Sequence, residues 1–191
     1  MPDLRFDPSK AVTFDLNRGL VHLEGEPARI LAPAAALVAL ADAAGPGATA
    51  VFAVTLGESM GRRVADRLEG DGVGAAPVDV VVDHLGGELA LAGLGSLALE
   101  RWGRAVVLVV DHSPLGAEGD ALLEGVLAGA IAAAADRAAL ALRLGRDGVR
   151  ARFLLGSAAG VAKVQAWLAD GVPWGEALVR LHAPPSPRGE A

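Results

Sequence analysis

With 191 residues, no cysteine and a formal net charge of −6, the chain has the length for one domain with its own core, and it excludes disulfides, thiolate metal sites and cysteine nucleophiles. The acidic balance, with lysine only at Lys10 and Lys163, lacks the cationic footprint that displaces counterions from phosphates, so no nucleic-acid partner is expected. The apolar stretches at 30–41 and 126–135 are shorter than the ~18–20 residues of a membrane span, and the N-terminus lacks the basic-then-apolar order of a secretory signal, so the expectation is a cytoplasmic protein without a membrane span.

Residues 11–24 read as a hairpin: Val12, Phe14 and Leu16 alternate with polar neighbours, Asn17-Arg18-Gly19 turns the chain, and Val21 and Leu23 alternate on the return. Pro33 opens a short Ala-rich helix that stops at Gly45-Pro46. From Gly47 to Gly70 the residues Ala50, Val54, Gly57, Gly61, Val64 and Leu68 recur at steps of three and four, one face of a long helix. Pro77 starts another helix with Val78, Val81, Val82, Leu85 and Leu89 on one face, against the cost of about 1 kcal/mol for each of Gly86 and Gly87.

Two strands follow, 96–101 and 104–112, joined at Trp102-Gly103. The second is continuously apolar from Ala105 to Val110, which predicts a central strand covered on both faces. Residues 118–136 form a long apolar helix. A second hairpin spans 138–144 and 149–155 around Arg146-Asp147-Gly148, helices close the chain near 157–170 and 173–182, and 184–191 is a loose tail. The order predicts an α+β, two-layer fold: an antiparallel sheet built from hairpins, with long helices packed on one side, in a single binding domain over 1–183.

Three motifs carry possible chemistry. Gly57-Glu58-Ser59-Met60-Gly61 matches the G-x-S-x-G elbow of serine hydrolases, and Ser59, Asp111 and His182 follow that fold's triad order. The elbow needs a strand before Ser and a helix after it, whereas here one helical stripe runs through. Asp111-His112-Ser113 are neighbours on a strand end, where adjacent side chains point to opposite faces. Gly93-Leu94-Gly95 precedes a strand, not a helix, so it is no dinucleotide fingerprint. The histidines at 22, 84, 112 and 182 have no partner at zinc spacing. No catalytic group, metal or cofactor is therefore expected. Gly125 and Gly129 echo Gly57 and Gly61, a spacing that suits close helix packing and equally the lining of a narrow apolar slot. Trp102, Trp167 and Trp174 read as core or interface anchors.

Taken together, "FDLNRGLVHLEGEPARILAPAAAL", "TLGESMGRRVADRLE", "GLGSLALERWGRAVVLVVDHSPLG", "ALLEGVLAGAI" and "RLGRDGVRARFLLGSA" resemble, in order and spacing, the 4-vinyl reductase (hydrocarbon-binding) domain family, related in fold to transport-particle (TRAPP) subunits. The resemblance covers residues 12–157. It implies a homodimer through the long helices and an apolar pocket between helices and sheet. Family members often carry cysteines where this chain has Ala121 and Ala151, so no metal-binding or thioacylating role carries over. The expected function is a non-enzymatic module for an apolar small molecule or acyl chain, sensor or carrier, with Val54, Gly57 and Gly61 facing Leu122, Gly125 and Val126 as the lining. The alternatives are a dimeric scaffold that recruits a protein partner and a hydrolase built on Ser59.

Overall fold

The computed structural model describes residues 11–24, 26–68, 77–136 and 138–182, so the tail expected from 184 lies outside the described residues. β1 (Val12–Asp15) and β2 (Leu20–Leu23) form the expected hairpin, registered Val12 to Leu23 and Asp15 to Leu20. The Asp15 carboxylate accepts the N–H groups of Asn17 and Arg18 at 3.1 Å each, and Gly19 turns the chain at φ 67°. β3 (Glu26–Arg29), which sequence alternation did not single out, pairs with β2 to complete a three-stranded sheet.

α1 (Ala34–Leu68) joins both expected N-terminal helices in one 35-residue element. The axis breaks at the Gly-Pro pair: Gly45 takes φ 80° and ψ 169°, a backbone state open to glycine alone, and Pro46 has no N–H to extend the upstream turn. Thr49 Oγ1 donates to the Ala41 carbonyl at 2.8 Å, tying the halves across the break. As one rod, α1 contains an 18-residue window of mean hydropathy 1.6, long and apolar enough to cross a membrane, and only 6% of that window is buried. Stretches that are each too short for a span in the sequence thus reach that length once joined in one helix.

α2 (Val78–Leu91) runs through Gly86-Gly87, held by the burial of Val81, Val82, Leu85 and Leu89 in the core. A Cβ on Gly86 would meet the Leu97 carbonyl oxygen at 3.6 Å, an ordinary contact, so the sheet does not demand glycine there and the helix simply carries its cost in propensity. Its end is closed by the Leu94 N–H on the Leu89 carbonyl at 3.0 Å.

β4 (Ser96–Trp102), β5 (Ala105–Asp111), β6 (Leu140–Asp147) and β7 (Arg150–Gly156) make an antiparallel sheet in the order β4-β5-β7-β6. The apolar β5 is central, as its composition demanded. Its Leu108 and Val110 join a core with α1, α2 and α3 (Asp120–Ala135), while Val107 and Val109 face α4 (Ala158–Ala169) and α5 (Trp174–His182). The fold is thus the expected α+β class with the long helices on one face. The two short closing helices add a partial third layer on the other face, where the reading from sequence had placed none. Trp102 and Trp174 meet there edge-on at 4.9 Å, and the Arg152 guanidinium lies 5.5 Å from the Trp174 ring centre.

Candidate ligand-binding groove

The small residues of α1 and α3 meet face to face. A Cβ on Gly57 would overlap the Val126 carbonyl oxygen and come within 2.8 Å of the Ala130 nitrogen. One on Gly61 would lie 2.8 Å from Ala133 Cβ, one on Gly125 2.6 Å from Ala53 Cβ, and one on Gly129 3.1 Å from Val54 Cα. Backbone therefore touches backbone along this seam. Of the six expected lining residues, Gly57 meets Val126 and Gly125 meets Val54 across the seam, Gly61 packs on Ala130 and Ala133 further along it, and between Gly57 and Val126 there is no room for even one methyl group.

The seam opens upstream. Where α1 deflects at Gly45, its first half departs from the start of α3 and leaves a cavity of about 220 Å³. Val38, Ala41 and Asp42 form one wall, Glu118, Ala121 and Leu122 the other, with Pro46 and Thr49 at the break. A second cavity of about 280 Å³ continues between Ala35, Ala39 and the loop carrying Pro114 and Leu115. Val38, Asp42 and Glu118 line both. Of the six expected lining residues only Leu122 reaches this groove. The others stand behind it along the seam.

The loop from 112 to 119 that forms one wall is held from below. Asp120, its side chain 1% exposed, receives Arg146 Nε at 3.2 Å on both oxygens, and Arg143 Nη1 lies 3.6 Å away. The same Arg146 donates to the Gly116 carbonyl at 3.1 Å, and its hydrogen bond to Asp120 raises its already high pKa. One guanidinium thus fixes the loop to the β6–β7 hairpin and answers the carboxylate at the N-terminus of α3.

The downstream half of α1 is held by a different set. Glu88 on α2, with no side-chain exposure, takes Arg63 Nε at 2.9 Å and pairs with Arg67 Nη1 at 2.6 Å. Arg67 also bonds Glu24 beyond β2 at 2.8 Å. These ion pairs tie α1, α2 and the N-terminal sheet to one another.

The triad in the sequence is not assembled. Ser59 lies inside α1, and its Oγ accepts from Arg63 Nη1 at 2.9 Å. The Asp111 carboxylate is bonded by Arg150 at 2.9 and 3.1 Å, which holds its pKa below the usual carboxylate value. His182 ends α5 beside Gly103, and α5 covers the sheet face opposite α1. Among the described residues no group of three or more His, Asp or Glu is placed to hold a metal ion.

No protein-family model and no curated protein sequence matches this chain. A solved structure does: the phenol-responsive sensory domain of the transcription activator PoxR with phenol, at a TM-score of 0.58 over 96% of this chain and 98% of that one. The two share a fold. At 18% identity the likeness reaches no further than that. The groove residues Val38, Ala41, Asp42 and Glu118 were not singled out from sequence. The signal that points to them is Gly45-Pro46, which in sequence reads as a helix stop and in the fold is a break opposite the start of α3.

Proposed function

We propose that this chain is a small-molecule-binding module of the 4-vinyl reductase type, a sensor or carrier without catalysis, with its ligand in the α1–α3 groove. The observation that carries the reading is the cleft opened by the Gly45-Pro46 break beside the α1–α3 seam, where the same two helices are otherwise in backbone contact. The fold shared with a phenol-responsive domain supports it. At about 220 Å³ the compartment is below the ~300–1,000 Å³ of drug-sized pockets, which favours a ligand of about one ring or a short acyl chain, worth ~0.8 kcal/mol per buried methylene. Leu122 lines this site directly. A longer ligand reaches Val54, Gly57, Gly61, Gly125 and Val126 by parting the seam.

The test is mass spectrometry of an organic extract of freshly purified protein, run beside the Ala121→Trp variant, whose indole fills the cleft from an exposed position. One apolar compound enriched in the wild type and lost in the variant is expected. Equal recovery from both would place the ligand elsewhere.

A second reading, a homodimeric scaffold that assembles with other proteins, is favoured by the outer side of α1, where Leu40, Val51 and Phe52 are 65%, 69% and 46% exposed. Apolar side chains in such a row mark a surface that another chain covers. We propose that a second copy covers it in either reading. Sedimentation of Val51→Glu/Phe52→Glu is expected to give a monomer from a dimeric parent, and an unchanged mass would remove α1 from the interface.

A further inference from the structure

We infer that the groove selects an apolar ligand bearing a cationic or hydrogen-bond-donating group and rejects carboxylates, an inference that rests on the groove being the ligand site. The cavity supplies the site, and its lining supplies the sign. Among the described residues no Lys, Arg or His lines either of its two compartments. The only ionisable groups there are the carboxylates of Asp42 and Glu118, one on each wall, and both face both compartments. A ligand in either compartment therefore meets both acids.

Neither carboxylate takes part in a hydrogen bond or ion pair among the described residues, while Asp120 just beyond is fully engaged by Arg146. The partial positive charge at the start of α3 would favour an anion, but buried Asp120 occupies that first turn and answers it. Thr49 Oγ1 already donates to Ala41, so it offers a ligand only its acceptor lone pairs. Every polar side chain that lines the cleft thus presents acceptors to a ligand. The floor of Val38, Ala41, Pro46 and Leu122 is apolar and suits a ring or short chain. An ammonium or hydroxyl group projecting from such a body pairs with the acids. A carboxylate brings a third like charge into a space with no cation.

The experiment uses three probes that share a phenyl body: phenethylamine, 2-phenylethanol and phenylacetate. Each is titrated into the full chain, with binding followed by the backbone amide NMR shifts of Gly45 and Gly119. The expected order is amine, then alcohol, then carboxylate, with the amine's advantage shrinking as salt is raised. In Asp42→Asn/Glu118→Gln, both changes on exposed positions, amine affinity is expected to fall about tenfold while the alcohol changes little, since each partly exposed pair contributes a factor of a few. Equal binding of all three probes, or a preference for phenylacetate, overturns the charge selection and leaves the ligand-binding reading standing. Shifts at neither glycine with any probe overturn both. A double variant that keeps the full amine preference overturns the assignment to these two acids.

Discussion

The two halves of α1 run along the same partner helix and behave differently. Downstream of Gly45 the helix touches α3 backbone to backbone and is pinned by Arg63 and Arg67 to the buried Glu88. Upstream, the half before the break holds to the body through a few partly buried alanine, leucine and valine side chains and lines both compartments of the groove. Paired small residues therefore mark where two helices are closed, and the break marks where they open. A ligand site belongs to the second region, because a seam without space for a methyl group must come apart before it admits anything.

The largest test of this contrast is Gly57→Leu. Its side chain would run into the Val126 carbonyl, which cannot move without shifting α3, and overpacking against backbone is expected to cost about 3 kcal/mol in urea unfolding. A cost below 1 kcal/mol would mean that the seam yields and that the slot expected from sequence exists after all. Glu88→Ala comes next. It strands two arginines that remain partly in reach of water, so about 2 kcal/mol is expected, with faster hydrogen exchange over the downstream half of α1. Unchanged exchange there would show that the seam alone holds the helix.

Gly45→Ala forces a Cβ into a backbone state that only glycine adopts freely, at a cost of about 1–2 kcal/mol, and it should change the groove before the seam. Amide shifts confined to residues near Val38 and Leu122 would bear this out; shifts centred on Gly57 and Gly129 would reverse the assignment of the two regions.

The smallest effect is on acid stability. The hydrogen bonds from Arg150 hold the Asp111 carboxyl below its ordinary value. Burial pushes the Glu100 carboxyl up, and hydrogen bonds from Trp102 and Arg152 more than reverse that. Both groups are depressed in the folded state, so their stabilisation is fully present above the unfolded carboxylate range, near pH 4, and is lost as pH falls through their folded values. Asp111→Asn should lower stability slightly at neutral pH and leave it almost unchanged in strong acid, which flattens the acid limb of the stability curve. An equal loss of stability at pH 7 and pH 3 would show that the Asp111 contribution is not ionic.

Much of the local architecture was legible in the chain. Asn17-Arg18-Gly19 and Arg146-Asp147-Gly148 specify hairpins because a positive φ at glycine is nearly the only way to turn so tightly, and Gly19 and Gly148 do have φ 67° and 55°. The unbroken run from Ala105 to Val110 had to be central, since alternate side chains of an apolar strand need cover on both faces. The i, i+4 glycines specified that one helix is approached closely. They did not specify by what, or how nearly. A glycine spacing reports only that side chains are absent, and whether the freed space becomes a slot or is filled by a partner's backbone depends on the crossing of two helices far apart in sequence. Likewise, Asp42 and Glu118 are ordinary exposed acids in the sequence, and only the deflection at Gly45 brings them to opposite walls of one groove. Local conformation is fixed by short-range sterics that a sequence displays; the shape of the space between elements is fixed by long-range packing, which it does not.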